Sequence, residues 1–390
     1  MVEQLLELFR SMPESAFNWI MKMLKNRFLT KSECVSEVKK FPVVMCPEDN
    51  QSFENTAKEI ADRKIELLTS LHESGALLFR NCNIKSHENF VRILEMLDIS
   101  PCDNHEYYGE VMRDNLGAVK GVMDVTFSSN SSVIIPHTEA FYWFKQPKYI
   151  SFFCEETNCR YGETPLFNCV EILRDIPDEL LNKLKDKKIL MEFRFSSGPS
   201  SISSNNSGWQ KKNTWQRAFG TEDRSIVEAI LNRDDVEFKW EASGSLFVGV
   251  HVKLISTHPK TGERCFRGIL YPSNNNRNFM IKNYIRPRMG WLHYLNLSLR
   301  DLHRNIKMKI NRIDARDCLW VARLVGASLS KREKDILTNA YFKNVSIFRW
   351  RSDDMILIDN VKVGHARLNV DSTRKIKIYI GRYFDQSEIG

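Results

Sequence analysis

The sequence lacks any apolar run as long as the ~18 residues that a helix needs to cross a bilayer. The apolar residues near its start are interrupted by Glu3, Glu7 and Glu14. A signal peptide, in contrast, has an unbroken apolar core, and a transit peptide avoids acidic residues. We therefore expect neither a membrane span nor a leader, and we interpret residues 1–30 as an amphipathic helix that packs on the main body.

The motifs of several common enzyme classes are also absent. There is no GxxxxGK followed by Ser or Thr, no GxGxxG, no GxSxG and no HExxH. These absences argue against an NTPase, a dinucleotide enzyme, a serine hydrolase and a zinc protease. The nine cysteines include no CxxC, and the closest pair, Cys154 and Cys159, has four residues between. This pattern indicates reduced thiols in a cytoplasmic protein.

The excess of positive charge is small for a chain of 390 residues. Lys and Arg number 57 and Asp and Glu number 49, which gives a net charge of +8. Such a balance suits a substrate with carboxylate or phosphate groups, and it permits nucleic-acid binding without requiring it. Basic residues concentrate in residues 277–334, and two interpretations stay open there: a solvated face, or a docking patch for an acidic partner.

The apolar pattern predicts a mostly β protein with helical additions (α+β), built as one domain around a barrel or jelly roll. Short runs rich in β-branched and aromatic residues have the length of strands. The Ser-rich segment 196–208 cannot bury apolar area, so we expect a mobile loop there, either a lid or a passive insertion. Predicted helices cover residues 54–75, 86–97, 169–186, 222–233 and part of 289–325, and predicted strands lie within 75–82, 132–143, 149–157, 189–195, 245–252, 345–350, 355–361 and 375–384.

One triplet has the spacing of a metal site. Among the nine histidines, His137 alone is followed two residues later by an acid, Glu139. Residues two apart in a strand point to the same face, so this pair can present an imidazole and a carboxylate to one ion. With one distant His, such a pair makes the facial triad of non-haem Fe(II) oxygenases. The triplet alone is also consistent with a purely structural role.

The third ligand that we expect is His365, which follows the apolar strand Met355–Ile358. It lies 226 residues after Glu139, so the fold alone can bring the two together. Nine residues further on, Arg374 provides a fixed cation that can bind a dicarboxylate through two hydrogen bonds. A surface charge on a strand is the alternative for Arg374.

These residues lie within a larger resemblance. The chain resembles the taurine dioxygenase (TauD/TfdA) superfamily of Fe(II)/2-oxoglutarate-dependent oxygenases, on the side that includes the clavaminate synthase-like enzymes. The resemblance covers roughly residues 70–385 and implies a double-stranded β-helix, or jelly roll. The segments that match in order are PHTEAFYW, GETPLFNCVEILRDIPDELL, TWQRAFGTEDRSIVEAI, HPKTGE and IFRWRSDDMILIDNVKVGHAR.

The resemblance implies a role for each matching position. His137, Glu139 and His365 match the iron ligands, Thr164 matches the Thr whose hydroxyl contacts 2-oxoglutarate, and Arg374 matches the Arg that pairs with its distal carboxylate. Arg382 is a less favoured stand-in for Arg374, and Arg367 is expected to support the site from behind. Many relatives have Asp where Glu139 stands, and halogenating relatives lack this carboxylate. Gly364 and Ala366 exchange the usual order of two small residues, and we expect little effect.

The resemblance also implies a reaction. With Fe(II), 2-oxoglutarate and O2, such enzymes oxidise a C–H bond, by hydroxylation, desaturation or ring closure, and release succinate and CO2. We expect a small amino-acid-like or carboxylate metabolite as the substrate, in natural-product biosynthesis, and no nucleic acid or membrane as a partner. The residues nearest the ligands, Ser132, Phe141 and Trp143, are candidates for the substrate pocket, although such aromatics more often lie in a core.

Three alternatives remain: a carnitine-pathway-like hydroxylase of trimethyl-ammonium substrates, a 2-oxoglutarate oxygenase of macromolecules, and a binding protein with a vestigial site. The first has an N-terminal zinc module in its relatives, and residues 1–60 here contain only Cys34 and Cys46 and no His. For domains, we predict a helical extension over residues 1–50 and an oxygenase domain over residues 51–390, with an insertion at about 190–335.

Overall fold

The fold is built from two β-sheets that face each other and from a third sheet with its helices. The computed structural model describes residues 25–37, 39–47, 51–102, 119–125, 133–143, 145–198, 214–310 and 321–385. Its strands are β1 Lys25–Phe28, β2 Val43–Cys46, β3 Ala76–Phe79, β4 Val122–Asp124, β5 Ile134–His137, β6 Lys145–Thr157, β7 Leu166–Asn168, β8 Lys188–Phe195, β9 Val236–Trp240, β10 Leu246–Lys253, β11 Ile255–Thr257, β12 Arg264–Phe266, β13 Val321–Val325, β14 Val345–Ser346, β15 Met355–Asp359, β16 Val363–Arg367 and β17 Arg374–Asp385.

Ten α-helices accompany these strands in the described part of the chain. A π-helical turn, Ile281–Ile285, leads into the longest of them, whose backbone is kinked at Gly290. No helix of the described residues has the length and apolar character to cross a membrane. The helices are α1 Phe53–Asp62, α2 Lys64–Ser74, α3 His87–Met96, α4 Cys169–Asp175, α5 Asp178–Leu184, α6 Trp215–Phe219, α7 Arg224–Leu231, α8 Ser273–Met280, α9 Arg286–Ile310 and α10 Lys331–Lys343.

The largest sheet has seven strands in the order β1-β2-β3-β15-β6-β17-β4, and a four-stranded sheet has the order β14-β7-β16-β5. Pairs are antiparallel except β2 with β3. A second four-stranded sheet, β13-β8-β10-β9, and a hairpin of β11 and β12 complete the set. The fold is thus β-rich with helical additions, as the sequence predicts.

Strand β15 shows why its continuous apolar run forms a strand with both faces buried. Alternate side chains point to opposite faces of a sheet. Met355 and Leu357 pack among residues of α1, α2 and α3 on one face. Ile356 and Ile358 pack on the other face with Leu166 of β7. The seven-stranded sheet therefore has a helical layer on one side and the sheet containing β7 and β16 on the other.

Several expectations differ from the structure. Residues 25–28 form strand β1, not the end of a helix, and the remainder of the 1–30 prediction lies outside the described residues. Residues 321–325 form strand β13 within the stretch read as helical. The helix predicted at 169–186 is two helices, because Pro177 precludes a continuous one. Of the Ser-rich segment 196–208, only residues 196–198 are described.

Candidate metal centre

Two neighbouring strands bring the predicted histidines together. His365 of β16 and His137 of β5 are direct partners in an antiparallel pair. Directly opposed residues have Cβ atoms about 4.5–5.5 Å apart, so their side chains share one face. The two imidazole centroids are 4.4 Å apart. Strand pairing therefore brings together two histidines that lie more than two hundred residues apart in the sequence.

Glu139 reaches the same point from the turn that ends β5. It is followed by Ala140, whose φ of 49° lies in the left-handed region that non-glycine residues seldom adopt. The side chain of Asn360 holds the peptide of Glu139 on both sides. Its Oδ1 accepts from the Glu139 N–H at 2.8 Å, and its Nδ2 donates to the Glu139 carbonyl at 2.9 Å. Asn360 is fully buried, so these bonds fix the backbone that carries the carboxylate.

The three side chains converge on one point. Glu139 Oε2 lies 3.8 Å from Nε2 of His137 and 3.8 Å from Nε2 of His365. One ligand atom from each residue lies within 4.8 Å of the others. His137 Nδ1 donates to the carbonyl of Ile135 at 2.8 Å, which leaves the Nε2 lone pair for a metal. Two imidazoles and one carboxylate are the donor set of a non-haem Fe(II) facial triad, so the residues fit that ion.

The three ligand residues differ in their exposure to solvent. Glu139 and His365 are buried, and His137 is half-buried. The ring of Phe152 from β6 packs edge-on against His365 at 5.1 Å between centroids. A metal here would thus be shielded by apolar side chains on the seven-stranded side and reachable from the side of His137.

Two arginines that follow His365 in the chain, Arg367 and Arg374, lie close enough to interact electrostatically. Arg374, at the start of β17, is half-buried and donates to the carbonyl of Gly162. Burial lowers the pKa of Arg374. Burial also lowers the pKa of Arg367 to about 10, and the charge of Arg374 adds to this effect. Two desolvated cations that repel each other form a favourable place for an anion.

Thr164 lies on the segment between β6 and β7, two residues after Gly162, whose carbonyl accepts from Arg374. It is buried, and its hydroxyl oxygen accepts from the indole N–H of Trp350 at 3.1 Å. The indole thereby orients the hydroxyl, whose own hydrogen is available for a further acceptor. Thr164 is linked to Arg374 through Gly162, two residues before it. The structure thus places both predicted cosubstrate residues on neighbouring segments.

The remaining predicted site residues have other surroundings. Phe141 and Trp143 are almost fully buried in the main apolar core, where Trp143 packs edge-on against Phe193. The structure gives no support to either as a substrate contact. Ser132 lies outside the described residues. Arg382 is exposed, eight residues beyond Arg374 on β17, so the structure favours Arg374 at the anion position.

Two residues of this centre were not predicted from the sequence. Asn360 and Trp350 were not singled out, because a buried hydrogen bond over about two hundred residues has no local signature. The expectation that the exchanged order of Gly364 and Ala366 has little effect stays a prediction, but in this chain position 364 is tightly packed. A Cβ at Gly364 would collide with the side chain of Ile269 and lie 3.1 Å from the carbonyl oxygen of His137.

Comparison with known proteins identifies the family of the chain. The sequence profile of the family described as "Taurine catabolism dioxygenase TauD, TfdA family" matches residues 38–280. That match spans more than half of the chain and includes His137, Glu139 and Thr164, while His365 and Arg374 lie beyond its end. Members of this family are Fe(II)- and 2-oxoglutarate-dependent dioxygenases. The chain belongs to the TauD/TfdA family.

Individual relatives are distant. The chain is 21% identical over 308 residues to "Dapdiamide synthesis protein DdaC" of Enterobacter agglomerans, covering 79% of this chain and 82% of that protein. It is 23% identical over 350 residues to a clavaminate synthase-like protein of Arabidopsis thaliana, covering 87% and 93%. A crystal structure described as a putative α-ketoglutarate-dependent taurine dioxygenase from Burkholderia xenovorans is similar with a TM-score of 0.49 at 12% identity, covering 93% of each chain.

Proposed function

We propose that this dioxygenase binds Fe(II) through His137, Glu139 and His365, binds 2-oxoglutarate through Arg374 and Thr164, and oxidises an unactivated C–H bond of a small amino-acid-like or carboxylate metabolite. The observation that carries the proposal is the convergence of three metal-binding side chains from distant parts of the chain. The Nδ1 bond of His137 and the Asn360 bonds to Glu139 support it, because both orient ligands toward one point.

Each residue has a defined task in this proposal. Fe(II) and 2-oxoglutarate, when bound, supply the oxidation of a C–H bond by O2 with release of succinate and CO2. The imidazoles of His137 and His365 and the carboxylate of Glu139 would hold the ion, and this donor set would leave coordination positions for 2-oxoglutarate and O2. Arg374 binds the distal carboxylate of 2-oxoglutarate, the hydroxyl of Thr164 donates to it, and Arg367 adds positive charge behind them. Phe152 excludes water from the side of His365.

A natural-product role and a jelly-roll core complete the proposal. The similarity to a dapdiamide synthesis protein supports a role in specialised metabolism. The facing sheets of seven and four strands, with both histidines on the smaller one, support a double-stranded β-helix. The free thiols of all eight cysteines in the described part support a cytoplasmic location. Whether the outcome is hydroxylation, desaturation or ring closure depends on how the substrate is placed.

The test is an anaerobic titration of the metal-free protein with Fe(II) and then 2-oxoglutarate. Chelation of the ion by the 2-oxo acid gives a weak charge-transfer band in the visible region, which requires the open positions of the triad. We expect the band in the wild type, its loss in His137→Ala and Glu139→Ala, and a higher 2-oxoglutarate concentration for half-saturation in Arg374→Gln. The matched control is His251→Ala, which removes a histidine of β10 paired with Glu237.

Two results would contradict the proposal. A folded, iron-loaded wild type without the band would exclude 2-oxoglutarate chelation. A band of equal intensity in His137→Ala and in the wild type would place the metal elsewhere. Substrates can then be ranked by how strongly amino acids, other carboxylates and trimethyl-ammonium compounds change the band and increase succinate formation.

A further inference from the structure

A second basic site lies around residues 160–163, directly before Thr164 in the chain. A cavity of about 300 Å³ lies there, at the lower end of the range for small-molecule pockets. Three arginines and one glutamate contribute to its wall, so its formal charge is positive. The lining residues are Val35, Arg160, Tyr161, Glu163, Pro287, Arg288 and Arg349. Neither the triad nor Arg374 is among them.

Two of the three arginines of this cavity, Arg288 and Arg349, are held in place by hydrogen bonds that use only part of each guanidinium. Arg288 donates from Nη1 to Glu163 at 2.7 Å. Arg349 donates from Nη1 to the carbonyls of Ser32 and Cys34, both at 3.0 Å. Each arginine is thus anchored through one terminal nitrogen. A guanidinium presents five N–H donors in a rigid fork, so an anchored arginine can still bind an oxyanion.

Arg288 supplies the observation that points to a ligand. Its side chain is 11% exposed. Its Nη2 is buried and makes no hydrogen bond to the described part of the chain. A buried donor without a partner is costly, and such groups are generally satisfied by a ligand or a water molecule. An anion in the cavity would offset the excess of positive charge carried by Arg288, Arg160 and Arg349.

Tyr161 contacts two of the arginines of the cavity and limits their movement. Arg288 and Arg160 lie over its ring, at 5.2 and 5.5 Å from the centroid. Its hydroxyl donates to the carbonyl of Arg288 at 3.3 Å. Its own N–H donates to the carboxylate of Asp371 at 3.0 Å. The ring therefore fixes the position of Arg288 relative to Glu163, and pre-organised donors bind anions with less loss of entropy.

We propose that this cavity is an anion-binding site, separate from the cosubstrate position at Arg374, which binds the carboxylate or phosphate group of a small molecule between Arg288, Arg160 and Arg349. Glu163 limits its affinity, because the carboxylate occupies one nitrogen of Arg288 and repels an incoming anion. The site does not depend on iron, so it can be tested apart from the oxygenase reaction.

The experiment measures binding of inorganic phosphate and of acetate to the metal-free full chain by isothermal titration calorimetry at low ionic strength. We expect Arg288→Gln and Arg160→Gln each to weaken phosphate binding by about tenfold or more, as expected for charge-assisted hydrogen bonds. Glu163→Gln should tighten it several-fold, because it frees a nitrogen of Arg288 and removes a negative charge. This increase is one that a purely structural ion pair would not produce.

Two control variants define the site. Arg286→Gln removes an exposed charge two residues from Arg288 that does not line the cavity. Arg374→Gln removes the cation of the cosubstrate position. Arg286→Gln should leave the phosphate dissociation constant within about twofold of the wild type, with salt screening of surface charge kept equal. Arg374→Gln should remove only phosphate that binds at the cosubstrate position, and should leave the binding that depends on Arg288 and Arg160. If Arg288→Gln fails to fold, Arg160→Gln and Glu163→Gln still test the site, because Arg160 is exposed.

The outcomes separate clearly. Tighter binding of phosphate than of acetate assigns a phosphate group, and the reverse assigns a carboxylate; both support the site. A loss in Arg374→Gln with no change in Arg288→Gln would locate the anion at the cosubstrate position and overturn the proposal. Equal small losses in every arginine variant, or no binding of either anion to the wild type, would also overturn it.

Discussion

At the scale of single residues, Asn360 determines where Glu139 lies. Its side-chain amide accepts from the N–H of Glu139 and donates to the carbonyl of Glu139, which fixes the backbone on both sides of that residue. A third hydrogen bond, from Nδ2 to the carbonyl of Pro147 at 3.0 Å, fixes Asn360 itself. Groups that orient metal ligands from behind are costly to remove. We expect Asn360→Ala to weaken Fe(II) binding by ~10–100-fold while the protein stays folded. Competition with a metal-sensitive chelating dye measures this affinity.

The matched control is Asn344→Ala. Asn344 makes two hydrogen bonds of similar length, to Asp175 at 2.6 Å and to the carbonyl of Ala340 at 3.0 Å, at the end of α10. Its loss should lower the thermal midpoint and leave the Fe(II) dissociation constant unchanged. Equal Fe(II) affinities in Asn360→Ala and in the wild type would show that Glu139 is held without Asn360.

The individual residues also show how much of the site could be predicted from the sequence. The spacing of His137 and Glu139 indicates a metal pair, since a local pattern encodes it. Arg374 could be proposed as an anion-binding cation from its position after His365, whereas Thr164 required the family resemblance. Asn360 and Trp350 could not be found from one sequence, because their function depends on contacts that only the folded chain creates. Phe141 and Trp143, adjacent to the ligands in sequence, point into the core instead.

At the scale of elements, the close packing of β16 depends on Gly364. The strand passes the His137 carbonyl and the side chain of Ile269 with no room for a Cβ. We expect Gly364→Ala to cost about 1–3 kcal/mol of folding stability, the usual range for overpacking. It should also weaken Fe(II) binding, because β16 carries His365. Urea unfolding and the dye competition measure the two effects.

Gly249→Ala in β10 is the comparison variant. Its added Cβ would lie 3.0 Å from Glu237 Cγ and 3.1 Å from Leu190 Cδ1, both side-chain atoms. Glu237 is exposed and can move aside, so this variant should lose less stability and keep its Fe(II) affinity. Unchanged iron binding in Gly364→Ala would mean that β16 tolerates displacement without moving His365.

The elements themselves were predicted where local signals are strong. The helix read at 54–75 ends at Gly75, whose φ of 86° terminates α2 as expected for a C-terminal glycine. It begins one residue earlier and is divided at Arg63. Strand β13 was missed, because five apolar-rich residues fit a helix or a strand equally. Pairing with β8 decides the matter, and such pairing is not visible locally.

At the scale of the whole molecule, Arg80 joins three distant segments. It is fully buried after β3 and donates to Glu33, which follows β1, at 2.8 Å and to Asp354, which precedes β15, at 2.6 Å. Removal of one partner leaves buried charges unpaired. We expect Arg80→Met to cost about 3–5 kcal/mol of stability, measured by urea unfolding.

The contrasting variant removes an exposed ion pair of similar geometry. Arg92 donates to Glu54 at 2.6 and 2.7 Å on the surface of α3. Arg92→Met should leave the free energy of unfolding nearly unchanged, because exposed pairs contribute little. Similar losses in the free energy of unfolding in the two variants would show that burial does not determine how much the Arg80 interactions stabilise the protein.

The pH dependence of stability has a definite sign through His72. This side chain of α2 lies 3.0 Å from the hydroxyl of Tyr149. Its imidazole faces His258, and the charges of Lys260 and Lys362 act on it. Burial, reinforced by Lys260, lowers the pKa of His72 to about 4, while an unfolded histidine titrates near 6.5.

Between those two values the unfolded chain binds a proton that the folded chain excludes. The free energy of unfolding therefore falls as the pH falls from about 6.5 towards 4, and this contribution is fully present above 6.5. In His72→Gln this part of the loss disappears, since the amide does not titrate. Urea midpoints at pH 7, 6, 5 and 4.5 should then decline less steeply for the variant than for the wild type. Parallel declines would mean that His72 is protonated as easily in the folded protein as in the unfolded chain. Burial and the charge of Lys260 would then not oppose its protonation.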